Sequence, residues 1–442
     1  MNAPSPAMRR VLIVSPHFPP VNAPDMQRAR LALPHLRGLG WDPTVLTVAP
    51  ERVEGAVLDP LLLETFPADV PVVRVGGVPA PLTRRLGFGS LWWRCGGALR
   101  RAGDALLARE RFDLVFFSTT QFDAFTLGPR WWRRHRVPYV LDYQDPWVND
   151  YYRRSRTRPP GGHLKFRFTQ FTARRREPAV LRQAAAVVAV SAAYGLDLRS
   201  RYPWLDAERI HHLPFGTSEA DFVLARRHRP AAPLVPTGDG NAHLVYAGRC
   251  GPDMSISLTV LLRAFARYRR SHPEQASRLR FHFIGTDYAP PPRGRYWALP
   301  IAEKEGVVDQ VDEVCHRIPY FDALHYLTHA DALVVLGSND PSYSASKVFP
   351  YLFARRPLLT LVHESSLMLE LAREQGIATS YGYPVVGLDA PLIEALVSRV
   401  HQEWFVDGGW RRPPSGDLAS LHRHSAAAMA QRLASVFNHA VA

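Results

Sequence analysis

Short, uninterrupted apolar runs recur along the chain, each ending in a polar loop and followed by a stretch with apolar residues three and four apart. Runs that are apolar throughout, rather than alternating, suit strands buried on both faces of a parallel sheet, and the stretches between them carry a helical period. Arg10–Ser15 (RVLIVS) opens the series, the loop PHFPPVNAPD follows, a helical pattern covers Met26–Leu39, and Pro43–Val48 is the next strand. That order predicts a βαβ start. Val70–Val75, Phe112–Ser118, Val137–Asp142, Ala184–Ser191 and Arg209–Leu213 extend the series to seven strands, with a helix over Leu86–Arg109 among the connections. Residues 226–241 (RRHRPAAPLVPTGDGN) then bring proline and glycine with little apolar content, the composition of a linker. A second series follows: strands at His243–Ala247, Leu279–Ile284, Val311–His316, Ala332–Leu336 and Leu358–Val362, and a helix around Leu258–Arg269. The tail, Leu418–Val441, reads as an amphipathic helix able to pack back across the first domain. The expected organisation is α/β: two Rossmann-like doubly wound domains facing a cleft, over residues 1–225 and 242–414, joined by 226–241 and closed by 415–442.

Length agrees with this division, since 442 residues exceed what one hydrophobic core holds. No apolar run approaches the roughly 18 residues that span a bilayer. Cys95, Cys250 and Cys315 are scattered, with neither a disulfide framework nor metal-ligand spacing. No metal site is read, and the expected location is the cytoplasm. Charge adds an asymmetry: residues 1–220 carry 31 Lys and Arg against 19 Asp and Glu, whereas residues 221–442 carry 23 against 21. A basic first half suits anionic lipid or phosphate-bearing partners. Trp92, Trp93, Arg94, Arg100 and Arg101 place aromatic and cationic groups beside the apolar stripe of the Leu86–Arg109 helix, as an interfacial membrane helix would. Packing against the helix's own sheet is the preferred reading, because the charged face is modest, and peripheral contact at the inner membrane surface is held beside it. Nucleic acid is not an expected partner, since no base-reading motif accompanies the basic half.

Candidate chemistry lies where strands run into loops. Leu336–Leu359 (LGSNDPSYSASKVFPYLFARRPLL) reads as a buried strand ending in small polar residues, then a short helix near Lys347, one of three lysines in the chain. A helix start with a cation beside it suits an anionic ligand. The turn GRCGPD after His243–Ala247 sets Gly248, Arg249 and Gly251 ahead of a helix, the place where amides and a guanidinium hold phosphate. In the first half, Thr119 and Thr120 end one strand, Asp142 and Asp145 end another, and His17 stands in the first loop. These carboxylates could bind hydroxyls or face positive charge, and capping of loop amides is the preferred reading. That first loop contains no glycine, so a dinucleotide fingerprint is excluded there.

Taken in order, FPP with Gln27 and Arg28, LRGLGWDPTVLT, LDYQDPW, LPFGTSEADF, VYAGR and SKVFPYLFARRPLL resemble a bacterial subgroup of the family-4-type glycosyltransferases, which have the GT-B fold. The resemblance covers nearly the whole chain. It implies retaining, hexosyltransferase-like transfer from a nucleotide diphosphate sugar to an acceptor hydroxyl on a glycan, a lipid or a small molecule, without metal or cofactor. It implies Arg249, Lys347, Gly248 and Gly251 at the donor phosphates, Ser342, Ser344, Ser346 and Arg317 at the nucleotide or sugar, Asp142 and Asp145 as catalytic carboxylates, and His17, Thr119 and Thr120 on the acceptor side. The sequence departs from the pattern where the family has two glutamates, here Ser342 and Pro350, and a lysine, here Ser255. It departs again at Asn22-Ala23-Pro24-Asp25 in place of a glycine pair, at Phe215 and at Gln144. The missing glutamates keep open an alternative: a catalytically degenerate GT-B protein that binds nucleotide sugar or serves as a partner subunit. Pro350 also lacks an N–H, so the helix after Lys347 is expected to begin late, with Pro350 in its first turn.

Overall fold

The central strands of the first series are buried over most of their length, and the reason is compositional: Val11–Val14 and Leu114–Phe117 offer no polar side chain to either face. The computed structural model describes residues 8–84, 90–149, 162–287, 293–338, 348–384 and 387–442. They form two compact units, Met1–Gly216 with Ala426–Ala442, and Thr217–Ser425. Where the sequence reading put a domain boundary at 225 and a linker over 226–241, the division falls at Gly216/Thr217. Residues 226–241 lie in the second unit, where His228 pairs with Asp322 at 2.5 Å and the Leu234 amide donates to the Tyr326 hydroxyl at 2.9 Å.

In the first unit, strands β1 (Arg9–Val14), β2 (Trp41–Val48), β3 (Val72–Val75), β4 (Leu114–Ser118), β5 (Tyr139–Tyr143), β6 (Ala186–Ala189) and β7 (Ile210–His212) form one parallel sheet, ordered β3-β2-β1-β4-β5-β6-β7. The order reverses between β1 and β4, which opens a crevice beyond their carboxyl ends. Helices α1 (Gln27–Leu36), α2 (Leu91–Arg109), α3 (Leu127–His135), α4 (His163–Gln183) and α5 (Ala192–Arg201) connect the strands. α2 meets α3 at Gly103, where a Cβ would lie 2.2 Å from the Trp131 ring, and the Trp131 indole donates to Asp104 at 2.8 Å. Arg94, read from sequence as part of an interfacial face of α2, is instead buried, donating to the carbonyls of Arg52 at 2.8 Å and Val78 at 3.5 Å. The position falls on the packed side of the helix, and a buried guanidinium must find acceptors.

The predicted helix over Leu418–Val441 is interrupted. Leu418–His424 is a 3-10 stretch in the second unit, and the C-terminal helix Ala426–Ala440 belongs to the first. There it covers one face of the sheet with α1: the Phe437 ring meets Trp41 and Phe116 edge-on at 5.4 Å and 5.0 Å, and the Trp41 indole donates to Asn438 at 3.1 Å.

The second unit has its own parallel sheet, β8 (Ala242–Ala247), β9 (Leu279–Ile284), β10 (Val311–Val314), β11 (Ala332–Leu336), β12 (Leu358–His363) and β13 (Ser380–Tyr383), ordered β10-β9-β8-β11-β12-β13. Its reversal lies between β8 and β11. β13 is the strand the sequence pattern does not announce, because SYGY offers only aromatics and small residues; pairing with β12 and burial of Tyr381 and Tyr383 supply what periodicity lacks. Helices α6 (Glu219–Arg227), α7 (Ser255–Ser271), α8 (Tyr320–His329) and α9 (Val348–Ala354) pack around it. Pro350 falls in the first turn of α9, where its missing N–H is not needed.

Candidate functional site

The crevice of the first unit holds a set of polar side chains cross-linked almost entirely to one another. After β1, the loop reaches Asp25 at the turn into α1, and this carboxylate is buried. It accepts from His17 Nδ1 at 2.9 Å, from the Thr119 and Thr120 hydroxyls at 3.1 Å each, and from the Thr120 amide at 3.1 Å. Burial works to raise its pKa, yet the charge and hydrogen bond of His17, with the two threonine contacts, outweigh it and hold the carboxyl below the usual range. A histidine with Nδ1 fixed on a carboxylate has its ring orientation set, as in acid–base dyads. The sequence reading named His17, Thr119 and Thr120 but not Asp25. The structure ties all three to that residue, with His17 and Thr120 half-buried and Thr119 fully buried.

Beneath this cluster Arg28 and Asp142 form a fully buried pair, Nε to Oδ1 at 2.9 Å, each side chain 0% exposed. Ser118 donates to the other Asp142 oxygen at 3.0 Å, and Gln144 at 2.8 Å, while Gln144 also holds the Asp25 carbonyl at 3.0 Å. Arg28 donates further to the Leu213 carbonyl at 2.6 Å and lies 4.9 Å from the centre of the Phe215 ring. Burial raises the Asp142 carboxyl and lowers the Arg28 guanidinium, the expected effect of removing both charges from water. Asp142, expected as a catalytic carboxylate, is fully buried and ties β5 to α1 and, through Arg28, to the loop after β7. The departures at Gln144 and Phe215 belong to the same tie. Asp145 differs: its side chain is exposed, and desolvation by the protein packed around the carboxyl, with the charge of Asp25, pushes it up to about 6.

A cavity of about 320 Å³ lies beside Thr120, lined by Trp92, Phe122, Trp147, Phe166 and Gln170 among others. The Phe122 and Trp147 rings stack at 6.0 Å and 20°. Aromatic faces with amides and hydroxyls between them are suited to a ligand that is apolar on its faces and polar at its edges.

In the second unit, the loop after β8 presents Arg249 just ahead of the N-terminus of α7. Its guanidinium is held by Asp253, four residues on, through two bonds of 3.0 Å and 2.7 Å, and both side chains are partly exposed. A Cβ on Gly251 would lie 2.6 Å from Arg249 Nη1 and 2.5 Å from Asp253 Oδ1, so a side chain there would make the tips of the pair shift. Burial opposes ionisation of Asp253, but hydrogen bonds from Arg249 and Ser338 hold its carboxyl below the usual range. The amides of Gly248 and Cys250 donate to the Ile284 carbonyl at 2.9 Å and the Thr286 carbonyl at 2.8 Å. Gly248, expected at the phosphates, thus spends its amide on the sheet. Arg317 follows β10 and is half-buried. Ser342, Ser344, Ser346 and Lys347 lie outside the described residues. Asp253 was not singled out from the sequence, although its i, i+4 spacing from Arg249 is a pairing signal. Among the described residues, no group of three or more His, Cys, Asp or Glu is placed to hold a metal ion, and no helix is long and apolar enough to cross a membrane.

Comparison with known proteins bears on both units. Residues 27–216 match the family model described as a glycosyl transferase 4-like domain. No curated protein matches the chain. Solved structures that match over nearly the whole chain include Anabaena Alr3699/HepE in complex with UDP and glucose, at 14% identity and a TM-score of 0.57, covering 97% of this chain and 99% of that one. The α,α-trehalose-phosphate synthase (UDP-forming) from Burkholderia vietnamiensis matches at 13% identity and a TM-score of 0.55, over 97% of this chain and 99% of that one. Trehalose-6-phosphate from E. coli, described as bound with UDP-2-fluoro glucose, matches at 11% identity and a TM-score of 0.59, over 97% and 98%. The fold is GT-B, two Rossmann-like units each built on a parallel sheet.

Proposed function

We propose that this protein transfers a sugar from a nucleoside diphosphate donor to an acceptor hydroxyl, the second unit holding the donor diphosphate and the first presenting the acceptor side. The observation that carries this reading is the Arg249 loop. A guanidinium stands at the positive end of a 17-residue helix with a carboxylate already on it, and a diphosphate can take that place with stronger charge-assisted bonds. The UDP bound in the Anabaena structure, the UDP-2-fluoro glucose bound in the E. coli structure and the UDP-forming description of the Burkholderia synthase support a uridine nucleotide as the first donor to try.

In the proposed reaction the bond between the anomeric carbon and the diphosphate oxygen breaks, and the electron pair leaves with the diphosphate. The acceptor oxygen bonds to that carbon, and its proton passes to the departing diphosphate oxygen. Arg249 stabilises the charge that grows on the leaving group, an interaction stronger in the transition state than before it. Lys347 is proposed to share this role. Asp145, ionised above about pH 6, is proposed to face the positive charge on the sugar. His17 and Thr120 are the proposed acceptor contacts, with Asp25 positioning both. Transfer with retention of configuration is the outcome implied by the sequence resemblance.

The test is incubation with UDP-, GDP-, ADP-, TDP- and CDP-sugars, following nucleotide release, with the product anomer assigned by NMR. Turnover of one donor, lost in Arg249→Ala, with the donor's anomeric configuration kept, is expected. Inversion would move the chemistry to His17 as a base. A second reading, a nucleotide-sugar-binding subunit without transfer, is favoured by Pro350 in place of a glutamate. Binding without turnover on any acceptor tried would support it.

A further inference from the structure

Helix α4 has two unlike flanks. Ala173, Glu177, Val180 and Leu181 are buried in the first unit, while Leu164, Phe168 and Phe171 stand 84%, 61% and 54% exposed. Spacings of four and three residues put these three on one outward stripe. Isolated exposed apolar residues are ordinary, but a stripe of three large ones on a single helix marks a surface that meets something other than water. Lys165, Arg167, Arg174 and Arg175 are exposed beside it, and Arg175 lies 4.4 Å from the centre of the Phe171 ring. The one acidic residue of α4, Glu177, is buried and holds Arg201 at 3.1 Å and Tyr202 at 2.9 Å, so it adds no negative charge to the outward flank.

Charge decides between occupants. A second copy packed on this stripe through a two-fold axis would bring the same cations together, and like charges in contact disfavour that pairing. An anionic bilayer accepts both components at once, the apolar side chains entering the headgroup boundary and the guanidinium and ammonium groups meeting lipid phosphates. We infer that the outward flank of α4, rather than that of α2, docks this protein on anionic membrane surfaces. This inference rests on the exposure and charge of α4 alone and does not require the transferase reading.

The experiment is sedimentation of the full chain, without nucleotide, with phosphatidylcholine vesicles and with vesicles also containing phosphatidylglycerol. Wild type is expected to sediment with the anionic vesicles only, and less as salt rises. Leu164→Ser/Phe168→Ser/Phe171→Ser should fall to the phosphatidylcholine background. Lys165→Gln/Arg167→Gln/Arg174→Gln should weaken binding roughly five-fold for each charge removed. All six side chains are exposed, so both variants should stay folded, with thermal midpoints close to that of wild type. Arg100→Gln/Arg101→Gln on α2 should sediment like wild type. Wild type remaining in solution at low salt, or the triple serine variant sedimenting as well as wild type, would overturn the inference. So would a wild-type dimer, by light scattering, that becomes monomeric in the serine variant, which would make the stripe a self-association surface.

Discussion

The loops that follow the first strand of each sheet occupy equivalent places in their units and are held in opposite ways. In the first unit, Asp25 and the Arg28–Asp142 pair are buried, and their partners come from the loops after β4, β5 and β7 as well as from α1. In the second, Arg249 and Asp253 sit four residues apart, both partly exposed, and Ser338 is a further partner of the Asp253 carboxylate. Long-range buried bonds fix a frame, and a local exposed pair is readily exchanged for a ligand. The comparison therefore assigns preorganisation to the first unit and ligand exchange to the second.

The largest effect expected from that difference is on stability. Arg28→Ala leaves Asp142 buried without a counter-charge, which should cost about 3–5 kcal/mol in urea unfolding, whereas Asp253→Asn should cost no more than about 1 kcal/mol. Equal losses would break the comparison. Asp25→Asn, which removes a charged partner of His17 while keeping the shape, should cost about 1.5–3 kcal/mol. Its sign with pH is set by the lowered carboxyl. The stabilisation is complete above the unfolded value of 3.8 and is lost as pH falls through the lower folded value, so the asparagine variant should lack that acid limb.

Activity supplies the next effect. With Asp145 raised to about 6, turnover that needs its carboxylate should climb as pH rises through that value. Asp145→Asn should remove both the climb and most of the rate, and a residual profile with the same limb would assign it to another group. The smallest effect is a gain: freeing Arg249 in Asp253→Asn should tighten UDP binding by roughly fivefold or less, about what one exposed ion pair is worth.

Much of the fold was legible in the sequence because its strands are buried on both faces and carry the signal themselves. RVLIVS, FDLVFFS and VPYVLD needed no context. SYGY did, since a strand made of aromatics and small residues is specified by the neighbour it pairs with. The division at Gly216 was hidden because α6 looks continuous with what precedes it, and the stop between Leu418 and Ala426 because an amphipathic pattern runs through a change of unit. At the candidate site, sequence placed His17, Thr119, Thr120 and Arg249 in the loops that follow strands but could not show what holds them. Asp25 reaches Thr119 across 94 positions, and Arg28 reaches Asp142 across 114, separations at which spacing carries no information. Asp142 and Asp145 look alike on a strand end. One extra turn of chain into the loop, rather than residue type, separates a buried tie from an exposed carboxyl.

The central claim is that Arg249 receives a nucleoside diphosphate, and calorimetric titration of UDP into wild type and Arg249→Ala tests it most directly. The prediction is saturable binding to wild type and a loss on the order of 1.5–3 kcal/mol in the variant, between about tenfold and somewhat over a hundredfold in Kd. Wild-type affinity retained in Arg249→Ala would place the phosphates elsewhere and contradict the account.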